Sequence, residues 1–293
     1  MNPLETLTQI NLDDLVEAVG WKGLPLFEPL LRRLFFQPAR RFAEYMLEFD
    51  AAVGECGLAD AARLAQRHYV HDVRVFGADL IPGSAFLALS NHPGLTDTLS
   101  LFAAINRPGL KIIALDRPFL NAIPNMSKQL FYVREDSSFR MNLVRQVSTH
   151  LRAGGSALTF PAGHIEPDPD VHKGAVESLS SWTDSVGVFI RMAPHTAMLP
   201  VLVRGVAWEK AARHPLLVIK KTREEKDKLA AAIQLFAHMV LNLKPVNVRV
   251  QIGRPIYAKD LGTTETGVIH KAVLAEMKRL IEEPPEGNGV SVL

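Results

Sequence analysis

The feature that most limits the fold of this chain is a change of hydrophobic period at Asp72. Before it, apolar residues recur at helical spacing. After it, short apolar runs alternate with stretches that return to helical spacing. Strands repeat every two residues and helices about every 3.6, so the two patterns bury different faces. DVRVFGADLIP and SAFLALSNH read as two strands joined by a turn at Pro82 and Gly83. Further strand-like runs follow at Lys111 to Leu115, Phe131 to Val133, Ala157 to Phe160, Met198 to Val203 and Val246 to Ile252. Helical patterns lie between several of them, as at Phe139 to Leu151 and Glu224 to Leu243. This alternation predicts an α/β fold: a mixed, largely parallel sheet flanked by helices, with an N-terminal helical segment. The expected divisions are 1–71 helical, 72–283 α/β, and 284–293 a loose tail.

In the first segment Leu15, Val16 and Val19 begin an apolar stripe that Gly20 and Gly23 interrupt. Leu30, Leu31, Leu34 and Phe35 then continue it, with Arg32, Arg33, Arg40 and Arg41 between or beside them. Pro38 is expected to kink this stretch or to begin a new helix. The region from Leu24 to Phe42 fits two roles, a lid packed on its own domain or a basic amphipathic surface lying in lipid headgroups.

With 47% hydrophobic and 22% charged residues among 293, the chain can bury a sizeable core. Its 33 basic and 31 acidic residues leave a net charge of +2, too small to argue for nucleic acid as a partner. Cys56 is the single cysteine, which excludes an intramolecular disulfide and a cysteine-based zinc cluster and fits a reducing compartment. The N-terminus carries no signal-peptide pattern, and no uncharged apolar run approaches the roughly 18 residues of a spanning helix. The expected location is the cytoplasm, with one-sided contact at the inner face of the membrane as the only membrane role.

The stretch ALSNHPGLTDTLSLFAAI carries the chemistry. A strand ends at Ser90, a turn follows at Asn91-His92-Pro93-Gly94, and a helix begins near Thr96, whose hydroxyl can cap it. His92 and Asp97 are five positions apart, a spacing that would split them across a continuous helix. The Pro-Gly turn removes that objection by folding His92 back over the first helical turn. Asp97 then accepts a hydrogen bond from the imidazole, and the other ring nitrogen is left to take a proton from a substrate hydroxyl. The plainer alternative is that such a pair arises by chance, since an Asp in a first helical turn is ordinary helix chemistry.

Other blocks bear on that choice. HPGLTD matches the H-x-x-x-x-D motif of the glycerolipid acyltransferase family, which includes glycerol-phosphate and lysophosphatidic acid acyltransferases. LFYVRE, with Phe131 and Arg134, resembles the second block of that family. FPAGHIE, Phe160 to Glu166, resembles the third, and MLPVLVRG with Pro200 the fourth. VRVQIGRPI, with Gly253 and Pro255, is similar to its closing G-x-P-I segment. The blocks occur in the family's order from about Val73 to the helix before Glu283. Departures are Ala162 for a usual glutamate, His164 for a threonine, Ile165 for an arginine, and Lys128 for the glycine that opens the second block. The F-P-A-G form resembles family members close to ornithine-lipid acyltransferases.

The resemblance implies O-acyl transfer from a fatty acyl thioester, on coenzyme A or acyl carrier protein, to a hydroxyl of a lysophospholipid, glycerol phosphate or related lipid. His92 would be the general base and Asp97 its partner. Arg134 would hold an anionic head group. Phe160, Pro161 and Gly163 would form a turn at the substrate, with His164 and Lys128 as further substrate-binding candidates. No metal, prosthetic group or other cofactor is implied. Outside that frame, Arg134 is an ordinary strand-end arginine, and the surface is the commoner place for His68, His71 and Lys173. Two rival functions stay open: an acyl-thioester hydrolase, in which His92 activates water, and a non-catalytic lipid-binding protein on the same fold. Ala162 and Ile165 favour the second; His92 and Asp97 count against it.

Overall fold

The computed structural model describes residues 2–20, 27–94, 96–134 and 137–293. Gly23 and Leu24 of the first segment, Leu95 of HPGLTD and Glu135 of LFYVRE lie outside the described residues. Among the described residues eight strands form one sheet: β1 Asp72–Phe76, β2 Phe86–Ser90, β3 Lys111–Leu115, β4 Leu130–Val133, β5 Ala157–Thr159, β6 Ala197–Arg204, β7 Asn247–Ile252 and β8 Val290–Ser291. Their order is β4-β3-β5-β2-β6-β7-β1-β8. The first five in that order are mutually parallel; β7 runs antiparallel to β6, and β1 runs parallel to β7. The α/β class with a mixed, largely parallel sheet is thus observed.

Strand position follows side-chain pattern. Every residue of β2 and of β6 is buried, as a central strand covered on both faces requires. In β2, Phe86 and Ala88 enter one core cluster and Leu87 and Leu89 the other. β1 alternates between buried and half-buried and lies towards the edge. The two strands read as joined at Pro82 and Gly83 are therefore not neighbours; β6 and β7 separate them. The short 3-10 turn Ala78–Leu80 lies in their connection. Pro200 and Gly253, both singled out in the sequence, meet across the sheet. The Gly253 N–H donates to the Pro200 carbonyl at 2.8 Å. A Cβ on Gly253 would lie 2.9 Å from that oxygen, so the close approach requires glycine there.

Among the described residues three N-terminal helices precede the sheet: α1 Pro3–Val19, α2 Glu28–Cys56 and α3 Leu58–Tyr69. α2 continues through Pro38 and begins no new helix there. Pro38, Ala39 and Ala43 are buried, so packing outweighs the missing backbone bond. Arg32 pairs with Asp13 at 2.7 Å, and Leu12, Leu15 and Val16 pack on Leu31 and Ala39. The later helix Arg223–Leu241 joins this bundle through Ala232 and through Phe236, whose ring meets Phe35 edge-on at 5.9 Å. Residues of α2 and α3, including Phe49, Ala61, Ala65 and Tyr69, enter the main core cluster.

The tail expected to be loose forms β8, antiparallel to β1. The Val292 N–H donates to the Val73 carbonyl at 3.1 Å, and the Ser291 hydroxyl donates to Asp72 at 2.7 Å. A two-residue strand is too short to show a period, so only its tertiary partner reveals it.

Candidate active site

Because β2, β5, β3 and β4 are parallel, their carboxyl ends share one edge of the sheet, where ligands of open α/β sheets bind. His92 follows β2, Phe160 follows β5, Asp116 follows β3 and Arg134 follows β4. Asn91 fixes the chain as it leaves β2. Its side chain donates to the Val203 carbonyl and accepts the Val203 N–H, both at 2.8 Å, which extends the β2–β6 ladder by one rung.

The turn then reverses direction. Gly94 takes a φ of 92°, a left-handed value that glycine adopts without strain. Its N–H donates to Asp97 Oδ2 at 2.7 Å. His92 Nδ1 meets the same oxygen at 2.7 Å. The other oxygen, Oδ1, accepts the Thr98 hydroxyl at 2.9 Å and the Thr98 N–H. The Asp97 side chain is 1% exposed and that of His92 29% exposed, so the pair has a sealed end and an open end. Asp97 begins the helix α4 Asp97–Ile105. The cap expected from Thr96 does not form. Among the described residues its buried hydroxyl has no hydrogen-bond partner, and the Asp97 carboxylate serves the turn in its place.

Glu166 locks this turn from behind. The His92 N–H donates to Glu166 Oε2 at 3.1 Å, and the Glu166 N–H donates to the His92 carbonyl at 2.8 Å. The second carboxylate oxygen accepts the Trp182 indole N–H at 2.8 Å and the Ser178 hydroxyl at 3.2 Å. Burial pushes the Glu166 carboxyl up, and these donors oppose the rise without cancelling it. For His92, burial alone would push the imidazole down. The charge and hydrogen bond of Asp97, with the charge of Glu166, outweigh burial and hold it above its ordinary value.

Glu166 belongs to the run Glu166-Pro167-Asp168-Pro169-Asp170. Each of its carboxylates ties down a different piece of chain. Asp168 accepts the N–H groups of Gly205, Val206 and Ala207 at 2.8–2.9 Å. Asp170 pairs with Arg249 at 2.6 Å and with Arg204 at 3.5 Å. In the sequence Glu166 stands out only as the end of FPAGHIE, and the run that it opens was not singled out. Its signal was the alternation: prolines disfavour a helix in the preceding residue and hold the chain extended.

The remaining candidates divide by position. The Phe160 ring lies 4.6 Å from the His92 ring, tilted by 34°. Pro161 is buried, and its carbonyl accepts the Thr183 N–H at 3.1 Å. Gly163 and His164 are exposed in the turn that follows. Arg134 is three strand spacings of about 4.8 Å from β2, roughly 14 Å along the edge. Its guanidinium pairs with Asp116 at 2.7 Å and lies 4.8 Å from the centre of the Phe139 ring. Lys128 precedes β4 at the opposite edge of the sheet, where its ammonium donates to Asn125 at 3.1 Å. The fold thus gathers His92, Asp97, Phe160 and the 161–166 turn, and sets Arg134 and Lys128 apart.

A cavity of about 490 Å³ starts at this turn. Pro93, Gly94, Ile165 and Glu166 line one part of it; α1 and the helix Arg223–Leu241 line much of the rest, with Phe42, Arg117, His172 and Trp208 among the other lining residues. Among the described residues, no group of three or more His, Cys, Asp or Glu side chains is placed to hold a metal ion.

No family model and no curated protein matches the chain. Among solved structures it is similar to the crystal structure of the 1-acyl-sn-glycerophosphate (LPA) acyltransferase PlsC from Thermotoga maritima. The similarity covers 97% of this chain and 99% of that one, at 19% identity and a TM-score of 0.46. At that degree of likeness the functional reading rests on this chain's own residues.

Proposed function

We propose that this chain is an O-acyltransferase that moves a fatty acyl group from a thioester to a hydroxyl of a lysophospholipid, glycerol phosphate or related lipid. The observation that carries the reading is the His92–Asp97 pair. The carboxylate is sealed and held by the turn, it fixes Nδ1 at 2.7 Å, and the side chain of His92 stays partly open. Among the described residues no serine or cysteine bonds to this imidazole, so the pair lacks a protein nucleophile. A base without its own nucleophile suits direct attack by a substrate alcohol.

In the proposed step Nε2 takes the proton of the acceptor hydroxyl as its oxygen attacks the thioester carbonyl. The tetrahedral adduct collapses, the C–S bond breaks, and the imidazolium returns the proton to the leaving thiolate. The products are an ester and a free thiol, with no covalent acyl-enzyme. Asp97 keeps the imidazole in the required tautomer and favours its protonated form in the transition state. Phe160 gives the imidazole an apolar wall that limits access by water. Pro161, Gly163 and His164 shape the approach of the acceptor, and Arg134 serves an anionic group that reaches along the strand edge. The donor is acyl-coenzyme A or acyl carrier protein. Among the described residues no helix is long and apolar enough to cross a membrane. The proposed setting is the cytoplasm, with peripheral contact at the membrane's inner face.

The test is free-thiol release from palmitoyl-coenzyme A, with and without a panel of lysolipids, for wild type and His92→Ala. Release that one acceptor stimulates and the variant loses supports acyl transfer. Equal release without acceptor supports hydrolysis instead. Absence of turnover with both coenzyme A and carrier-protein donors would leave the lipid-binding reading.

A further inference from the structure

A second groove, of about 780 Å³, lies on the same edge of the sheet as His92. β7 and β1 run opposite to β6, so their first residues, Asn247 and Asp72, share that edge with Gly205, which follows β6. All three line the groove. Ala207 and Trp208 line both the groove and the cavity beside His92, so the two adjoin. Asp170, the last residue of the run that starts at Glu166, lines the groove as well.

Its wall carries a row of like charges. Arg204 of β6 is in register with Arg249 of β7, and Arg249 with Arg74 of β1. Register partners on neighbouring strands point to the same face, and like charges placed so repel. The carboxylates present relieve this only in part. Asp72 pairs with Arg74 at 2.8 Å, whereas Asp170 alone serves both Arg249 and Arg204. Arg204 Nε is buried and has no hydrogen-bond partner among the described residues. Glu209 pairs with Arg213, and Asp168 is taken up by three backbone N–H groups. Lys210 lines the groove, is exposed, and makes no ion pair among the described residues. Five basic side chains thus meet four carboxylates. The excess is small; what marks the groove is the in-register row, one carboxylate shared by two guanidiniums, and an ammonium with no ion-pair partner beside them.

The spacing fits one class of ligand. β7 and β1 are two and three strand spacings from β2, roughly 10 and 14 Å along the edge, in the direction away from Arg134. A pantetheine arm has about twelve bonds between its sulfur and its phosphate-bearing oxygen. That is the length of about four peptide residues, roughly 14 Å when extended. A thioester held at His92 therefore brings its phosphate to the arginine row. We propose that this groove binds the nucleotide half of an acyl-coenzyme A donor. Its phosphates meet Arg74, Arg249 and Lys210, and the arm passes Ala207 and Trp208 to reach His92. Coenzyme A carries phosphate at two places, which matches basic side chains spread over β7, β1 and the segment after β6; a carrier protein offers one phosphate at the end of its arm. The choice of donor rests on the acyltransferase reading, but the site is tested without turnover.

The experiment is isothermal titration calorimetry of the full chain with coenzyme A, adenosine 3′,5′-bisphosphate and pantetheine, none of which carries an acyl group. Wild type is compared with Lys210→Glu, Arg249→Gln and His92→Ala, with Tm measured alongside. Lys210 is exposed, so Lys210→Glu is expected to keep the wild-type Tm; Arg249→Gln leaves Asp170 its contact with Arg204. Coenzyme A and the bisphosphate are expected to bind wild type and His92→Ala alike, and less well at high salt. Each groove variant should weaken both by at least about tenfold, and pantetheine, which has no phosphate, should bind wild type that much more weakly than coenzyme A. Affinity for coenzyme A that is unchanged in Lys210→Glu, or pantetheine that binds as tightly as coenzyme A, overturns the proposal. So does coenzyme A that does not bind at all. Acyl transfer from a carrier-protein donor, measured with wild type and His92→Ala, then separates failure of this site from failure of the acyltransferase reading.

Discussion

Asp97 and Glu166 act on His92 from opposite sides, one through the ring and one through the backbone and by charge. The imidazole must be neutral to act as a base, and both carboxylates stabilise its charged form. Activity should therefore rise with pH through a midpoint above the usual imidazole value of about 6.5. In Asp97→Asn the midpoint should fall, because a favourable charge is gone, while the plateau drops by roughly 10²–10⁴-fold. A pH–rate profile of kcat/KM for both proteins checks this. Glu166→Gln should lower the His92 midpoint as well, as followed by NMR titration of the imidazole. A glutamine has one acceptor oxygen where Glu166 uses two, so donors at one end would face an amide NH₂ group. Stability in urea should fall by about 1–3 kcal/mol. At this scale the sequence placed His92 and Asp97 through the Pro-Gly turn. It could not give the closure by Glu166, because 74 residues separate the two partners and only the β2–β5 pairing unites them.

Among the elements, β8 is the clearest departure from expectation. Its pairing covers the outer edge of β1, and an uncovered edge invites another chain. Removing residues 288–293 deletes the bonds from Arg74 to the Asn288 carbonyl, from Ser291 to Asp72 and from Val292 to Val73. The truncated protein should lose about 2 kcal/mol of stability and associate with rising concentration. Thermal unfolding and light scattering check both effects, and a loose tail would change neither. Most other strands were legible. β3 covers the expected Lys111 to Leu115, and β7 begins one residue after the expected Val246. Apolar runs flanked by breakers mark strands well. Strand order was not legible, because which strands meet depends on crossovers and face coverage far apart in the chain.

For the whole molecule, the expected division at residue 71 does not separate two cores. Ala61, Ala62, Ala65 and Tyr69 from α3 share a cluster with Leu101 and Phe102 from α4 and with Val248 and Val250 from β7. The helical patterning of residues 1–71 was legible, but its dependence on the sheet was not: an amphipathic stripe reveals that a face is buried and not what buries it. A chain of residues 72–293 should therefore expose core surface. It should bind a hydrophobic dye and lose near-ultraviolet circular dichroism while keeping far-ultraviolet signal. A sharp cooperative unfolding transition in that fragment would mean the helices are an accessory.

The central claim is that His92, held by Asp97, directs an acyl group to an alcohol and not to water. The most direct measurement follows labelled palmitate from palmitoyl-coenzyme A, or from acyl carrier protein, in the presence of a lysolipid panel, comparing wild type with His92→Ala. The expected result is labelled ester on one acceptor class, with little free palmitate, reduced by about 10²-fold or more in the variant. Label that appears as free palmitate regardless of acceptor, or ester formation that survives loss of His92, would contradict it.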